Sequence, residues 1–200
     1  MVSDETGAVD NVRVKYYRLT DQDVVDELQV HHLAEQGIII ESVEDIDSEE
    51  EDQDDNQYES DLDHIDEVYV SGDGGFWIAW SAETPVGHIG AQDIGGFVEL
   101  RRMYVREKFR RRGIGTLLVR SLIEHCKSEG IRAIELFTHR DGPGRYMYKK
   151  KLGFRKTDEP GGEFQEGWPK GEWWRSTRGT MDDPSQTRMR LDIQDHGYPR

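Results

Sequence analysis

The sequence has little cysteine and no long apolar run. The single Cys126 excludes an internal disulfide, and its place on the apolar side of a predicted helix indicates a packing residue. No apolar run reaches the length of a membrane span, and the first ten residues lack the basic start and apolar centre of a signal peptide. We therefore expect a cytoplasmic protein with no membrane partner.

Lysine and arginine are absent from one long stretch. Residues 41–67 hold 15 of the 41 acidic residues and none of the 26 lysines and arginines, so the remaining 26 acids balance the 26 bases. The net charge of −15 disfavours a nucleic-acid partner. Because the excess acid is concentrated in one segment, that segment is either a solvated loop or an attractor of cations.

The length of 200 residues suffices for one well-filled core and is short for two. We expect a flexible acidic N-terminus at 1–11, a single domain at 12–193 and a C-terminal tail at 194–200. Inside the domain, residues 41–67 form an acidic insertion between the first helix and the second strand, and residues 158–186 form a loop rich in Trp and Gly.

Hydrophobic periodicity predicts the element order β-α-α-β-β-β-α-β-α-β-β. This order gives an α+β fold with a mixed, mostly antiparallel sheet of six to seven strands and helices on both faces. The first helix, after a cap at Thr20, carries His31 and His32. Adjacent histidines on a helix point about 100° apart and do not face a common ligand, so we expect no metal site.

A basic, glycine-containing turn joins the strand at Val98 to Val105 with the helix that follows. The turn reads Arg110-Arg111-Arg112-Gly113-Ile114-Gly115-Thr116. Unpartnered N–H groups at a helix start attract anions, and arginines fork onto phosphate oxygens. The spacing matches neither the P-loop nor the dinucleotide fingerprint. The turn therefore predicts a pyrophosphate site.

This turn resembles the coenzyme A signature Arg-x-x-Gly-x-Gly of the GNAT superfamily, the acyl-CoA-dependent N-acyltransferases. Two neighbouring segments are also similar to that family: Glu99-Leu100-Arg101-Arg102-Met103-Tyr104-Val105 resembles its fourth strand, and Leu152-Gly153-Phe154 resembles its Leu-Gly-Phe. The resemblance implies a splay between strands four and five, with pantetheine bound along Met103, Tyr104 and Val105. It also implies direct acetyl transfer from acetyl-CoA to a primary amine, an acyltransferase reaction of the EC 2.3.1 class.

Two residues are candidates for proton transfer. Glu99, just before the expected pantetheine edge, is the candidate base; the alternative is a structural pair with Arg101. In the family a tyrosine four residues before the glycine of Leu-Gly-Phe protonates the leaving thiolate. Lys149 holds that place here and Tyr148 stands one residue early, so Tyr148 is either the acid or a packing residue.

The family forms its acceptor groove from the region between the first two helices and from the loop between strands six and seven. In this chain these are the acidic segment and a loop with Trp168, Trp173 and Trp174. Carboxylates and aromatic faces suit a cationic acceptor: a polyamine, an aminoglycoside, or a basic peptide or protein. A solubilising loop with tryptophans packed in the core stays open, as does a homodimer. The alternative function is a non-catalytic acyl-CoA-binding or protein-interaction module.

Overall fold

The computed structural model describes residues 11–38, 60–157 and 185–193. Within these ranges seven strands form one sheet in the order β1-β2-β3-β4-β5-β7-β6. Their bounds are β1 Val12–Tyr16, β2 Gly75–Ser81, β3 Thr84–Asp93, β4 Val98–Val105, β5 Ala133–His139, β6 Arg155–Lys156 and β7 Gln186–Asp192. All neighbours are antiparallel except β4 and β5. The predicted mixed, mostly antiparallel sheet is confirmed.

In the described parts of the chain, four α-helices accompany the sheet: α1 Gln22–Glu35, α2 Ser60–Asp63, α3 Ile114–Ser128 and α4 Pro143–Tyr146. A π-helical turn follows α2 at Asp66–Val70, and another follows α4 at Met147–Lys151. The predicted cap at Thr20 is wrong. The Asp21 carboxylate accepts the Arg18 N–H at 2.9 Å and closes a 3₁₀ turn, so α1 begins only at Gln22.

Helix α3 packs on one face of the sheet because its apolar residues recur at helical spacing. Its buried side chains are Ile114, Leu118, Val119, Leu122, Ile123 and Cys126, and they meet Val98 and Leu100 of β4 and Ile134 and Leu136 of β5. Burial raises the pKa of the Cys126 thiol to about 12, so this cysteine is a neutral packing residue at physiological pH.

Helices α1 and α2 cover the other face of β2 to β4. Leu62, Ile65 and Tyr69 are buried there beside Phe76. Asp61 belongs to the acidic segment yet is buried, and its two oxygens accept the Nε and Nη2 groups of Arg102 at 3.0 and 2.5 Å. One end of the acidic segment is therefore part of the core.

Strands β4 and β5 pair only at their first two rungs, Val98 with Ile134 and Glu99 with Glu135. Farther along, β4 keeps β3 as its neighbour, but the register shifts by one residue because β4 bulges at Arg102, whose φ is +47°. Among the described residues, no strand pairs with the edge of β4 that faces β5 beyond Glu99. The predicted splay between strands four and five is confirmed.

Several predictions fall outside the described residues. These are the N-terminus up to residue 10, most of the acidic segment, the loop with the three tryptophans and the tail from residue 194. Among the helices that the structure describes, none is long and apolar enough to cross a membrane.

Candidate active site

The turn between β4 and α3 presents a run of backbone donors without acceptors. Gly113 caps α3 with a φ of +86°, and Arg111 has a φ of +65°. The first N–H that is bonded in this helix is that of Leu117, to Gly113 O at 3.0 Å; the six preceding N–H groups, Arg111 to Thr116, donate to no other group in the described ranges. Left-handed residues alternating in such a turn form a concave anion site, which the helix start reinforces.

Glu35, the last residue of α1, ties this turn to the sheet. Its Oε1 accepts the Tyr104 hydroxyl at 2.9 Å and the Glu107 N–H at 2.7 Å, and its Oε2 pairs with the Arg110 guanidinium. Arg110 also donates from Nε to Val105 O at 2.8 Å. Arg110 therefore holds the turn against β4 and α1, while Arg111 and Arg112 remain exposed beside the free N–H groups.

Gly115 lies where β4, α3 and α4 converge. A Cβ at this position would lie 2.9 Å from Met103 Cε and 3.2 Å from Met147 Sδ. The glycine thus lets the start of α3 approach two methionines, one on β4 and one after α4. This packing requirement was not evident from the sequence, which suggested only close approach of a phosphate.

Glu99 lies on the last rung that β4 shares with β5, on the face opposite α3. Its Oε1 accepts Arg101 Nε at 3.2 Å, and the two side chains are 11% and 7% exposed. The pairing with Arg101, one of the two alternatives for Glu99, is therefore present. The role of Glu99 as base stays a prediction, which this pairing does not exclude, since the second carboxylate oxygen remains for a substrate.

Compared with the family pattern, one additional residue separates Tyr148 from Leu-Gly-Phe. The π-helical turn at Met147–Lys151 accommodates this residue. A π turn accommodates one residue more than an α turn, so the rotation of about 100° that the extra residue would cause is cancelled. The Tyr148 ring is buried on the α3 face, edge-on to Phe154, and its hydroxyl makes no hydrogen bond within the described residues. Burial raises the pKa of Tyr148.

Glu99 and Tyr148 consequently lie on opposite faces of the sheet near the splay. Glu99 is on the face covered by α1 and α2, whereas Tyr148 belongs to the core on the α3 face. The role of Tyr148 as acid stays a prediction.

The histidines of the first helix contact neighbouring side chains. His32 packs against the Tyr104 ring, with centroids 4.7 Å apart, and His31 lies 3.6 Å from Glu27. Within the described ranges, no three His, Cys, Asp or Glu side chains are grouped to hold a metal ion. His88, buried behind Tyr104, has its pKa lowered to about 3 by burial and is neutral.

Comparison with known protein families assigns the chain. The model of the acetyltransferase (GNAT) family matches residues 40–154, which is more than half of the sequence. The chain belongs to the GNAT acetyltransferase family. The strand, turn and helix described above all lie inside the matched region.

Two curated relatives show how far the similarity extends. An uncharacterized N-acetyltransferase of Methanocaldococcus jannaschii is 36% identical over 70 residues, covering 35% of this chain and 29% of that protein. The spermidine N(1)-acetyltransferase of Thermoplasma acidophilum is 28% identical over 86 residues, covering 43% and 53%. This GNAT chain thus aligns with only about a third to a half of the length of these relatives.

Solved structures share the fold across almost the whole chain. A GNAT acetyltransferase from Staphylococcus aureus superposes with a TM-score of 0.62 at 22% identity and covers 91% of this chain and 99% of its own. The PaiA N-acetyltransferase of Thermoplasma acidophilum, solved in complex with coenzyme A, gives 0.53 at 19% identity, covering 90% and 98%. At these identities the likeness establishes the fold alone.

We predict that Glu35→Gln weakens coenzyme A binding about five- to tenfold, because the turn loses its charged anchor. Titration calorimetry measures the affinity, and Glu83→Gln, which removes the exposed partner of Arg13, is the control. Unchanged or tighter binding by Glu35→Gln would contradict this role and show that Glu35 competes with the coenzyme for Arg110.

Burial opposes ionisation of Glu35, but hydrogen bonds from Glu107 and Tyr104 and the charge of Arg110 outweigh it and hold its pKa below the usual value. The stabilisation is therefore complete above the ordinary carboxyl pKa and disappears as pH falls through the lowered one. In parallel urea titrations, the difference in unfolding free energy between the parent and Glu35→Gln should shrink with acidification.

We predict that deleting Lys150 is tolerated, because the π turn then closes as an α turn and Tyr148 stays buried. Inserting one alanine after Lys150 should instead rotate Tyr148 out of the core by about 100°. Loss of a buried aromatic costs about 3–5 kcal/mol, so thermal unfolding separates the two variants. Equal destabilisation by deletion and insertion would show that something other than chain length imposes the π turn.

Proposed function

We propose that this GNAT protein transfers an acetyl group from acetyl-CoA to a primary amine. The observation that carries the proposal is the run of free N–H groups from Arg111 to Thr116, directly beside the open edge of β4. The N–H groups would bind the pyrophosphate, and the exposed Arg111 and Arg112 would add charge. Residues 12–193 would act as one domain.

The pantetheine arm would lie along the β4 edge at Met103, Tyr104 and Val105. Backbone groups there lack a β5 partner, although Val105 O already accepts Arg110 Nε at 2.8 Å, and an extended amide chain can supply the hydrogen bonds that are missing. The thioester would then enter the splay between the faces that carry Glu99 and Tyr148. Binding of this arm would depend on backbone geometry more than on side-chain identity.

The amine must lose a proton before it attacks. An alkyl ammonium has a pKa near 10.4, so presenting the free base at neutral pH costs about 4–5 kcal/mol. Glu99, directly or through a water, would accept that proton. The new N–C bond forms as the C–S bond breaks, and Tyr148 would deliver a proton to the departing sulfur.

A cationic acceptor remains our proposal for the substrate class. The acidic segment supports it, although Asp61 is unavailable because it pairs with Arg102 and Tyr69 inside the core. The similarity to a spermidine acetyltransferase also supports an amine of this kind. A polyamine, an aminoglycoside and a basic peptide are the members to be compared.

We predict that free-thiol release from acetyl-CoA depends on an added amine and is lost in the double variant Arg111→Glu, Arg112→Glu. Like charge at the turn should repel the pyrophosphate. Arg120→Glu, an exposed change later on α3, is the control.

Glu99→Gln should bind coenzyme normally and lower turnover about a hundredfold or more. If no amine causes thiol release although the coenzyme binds normally, a non-catalytic acyl-CoA-binding module would be favoured instead. Thiol release that persists in the double variant would show that the turn is not part of the coenzyme site.

A further inference from the structure

The face of the sheet at the splay carries more arginine than carboxylate. Glu99 pairs with Arg101, while the neighbouring Glu135 pairs with both Arg188 and Arg190, the latter at 2.6 Å. Three guanidiniums thus serve two carboxylates, none of the five side chains being more than 32% exposed. Arg190 also bonds Asp192, but Asp192 has a second partner in Arg155, so the excess of one positive charge is unchanged.

One of these guanidiniums is incompletely satisfied. Arg101 uses Nε on Glu99, but its Nη1 is buried and has no hydrogen-bond partner among the described residues. A buried N–H without an acceptor is costly, and a charged one more so. Arg101 stands on β4 two residues after the last rung that joins β4 to β5, and Glu99, which its Nε contacts, is on that rung.

The positions of the Glu99 carboxylate and of Arg101 Nη1 indicate which kind of acceptor molecule would bind there. Nη1 shares the guanidinium whose Nε contacts Glu99, so it lies within a few ångströms of the proposed base. When an amine nitrogen lies against Glu99, a substituent on the carbon that bears this nitrogen lies beside the Arg101 guanidinium. A carboxylate matches a guanidinium in shape and charge.

We propose that the acceptor is an amino acid with a free carboxylate, which Arg101 receives while Glu99 takes the proton of the amine. This inference rests on the proposed acetyl transfer to a primary amine. Among cationic acceptors it favours an amino acid with a free carboxylate, such as lysine or ornithine, over a polyamine. Arg188, which lies on the same face and is 13% exposed, adds positive charge to the carboxylate end. A polyamine would bring only further positive charge to a site that already has an excess.

The test compares amines that differ only in the carboxylate. Lysine is paired with cadaverine, ornithine with putrescine, and alanine with alaninamide. We expect kcat/KM for thiol release from acetyl-CoA to be about 10- to 100-fold higher for the member with the free carboxylate. Calorimetric binding of each pair, in the presence of coenzyme A, gives the same comparison without turnover.

Variants then test whether Arg101 causes the preference for the amine that carries a carboxylate. Arg101→Gln should collapse the ratio between paired amines towards one, and Arg101→Lys should restore part of it. Arg188→Gln, which is less buried, should lower the ratio by a smaller factor and serves if Arg101→Gln does not fold. Arg13→Gln, an exposed arginine on β1, should leave the ratio unchanged.

The outcomes separate this inference from the proposed function. Equal or better use of cadaverine, putrescine or spermidine would overturn the amino-acid acceptor while leaving the acetyltransferase intact. A carboxylate preference that survives Arg101→Gln would also overturn it, and Nη1 would then be satisfied by a buried water. Failure to bind acetyl-CoA would contradict the proposed function, whereas the binding comparison would still decide whether the carboxylate is recognised.

Discussion

The separation of β4 from β5 after Glu99 is the constraint on which the rest of the structure depends. Two neighbouring parallel strands that stop pairing leave backbone donors and acceptors without partners inside a sheet, an arrangement that folded proteins avoid unless something supplies the missing bonds. Here β3 holds one edge of β4, and the bulge at Arg102 turns the strand away from β5. This open edge is where we propose that the extended pantetheine arm binds.

Carboxylates from the α1 and α2 side keep that opening in place. Asp61 fixes the bulge by binding Arg102, whose left-handed φ is unfavourable for a residue with a side chain, and Glu35 fixes the turn after β4. Both acids are far in sequence from the residues they organise. The acidic character of the chain thus has a structural component in addition to any effect on the approach of a cation.

The sheet and the sequence of β4, turn and α3 could be predicted because local patterns encode them: alternation from Val98 to Val105, helical spacing after Ile114 and glycines between the two. The splay was expected only from the resemblance to the GNAT superfamily. The roles of Glu35 and Glu135 could not, since only tertiary packing brings their partners together. The position of Tyr148 was uncertain for another reason. Regular α-helical spacing predicts the wrong direction for its side chain, and no sequence pattern predicted the π turn that accommodates the additional residue.

The central claim is that the turn and the open edge of β4 together form a coenzyme site, and a crystal structure with bound coenzyme A tests it most directly. We predict that pyrophosphate oxygens lie within hydrogen-bond distance of N–H groups from Arg111 to Thr116, with the pantetheine amides bonded to the β4 edge. Coenzyme bound elsewhere, with the turn empty or with β4 and β5 paired along their length, would contradict the account.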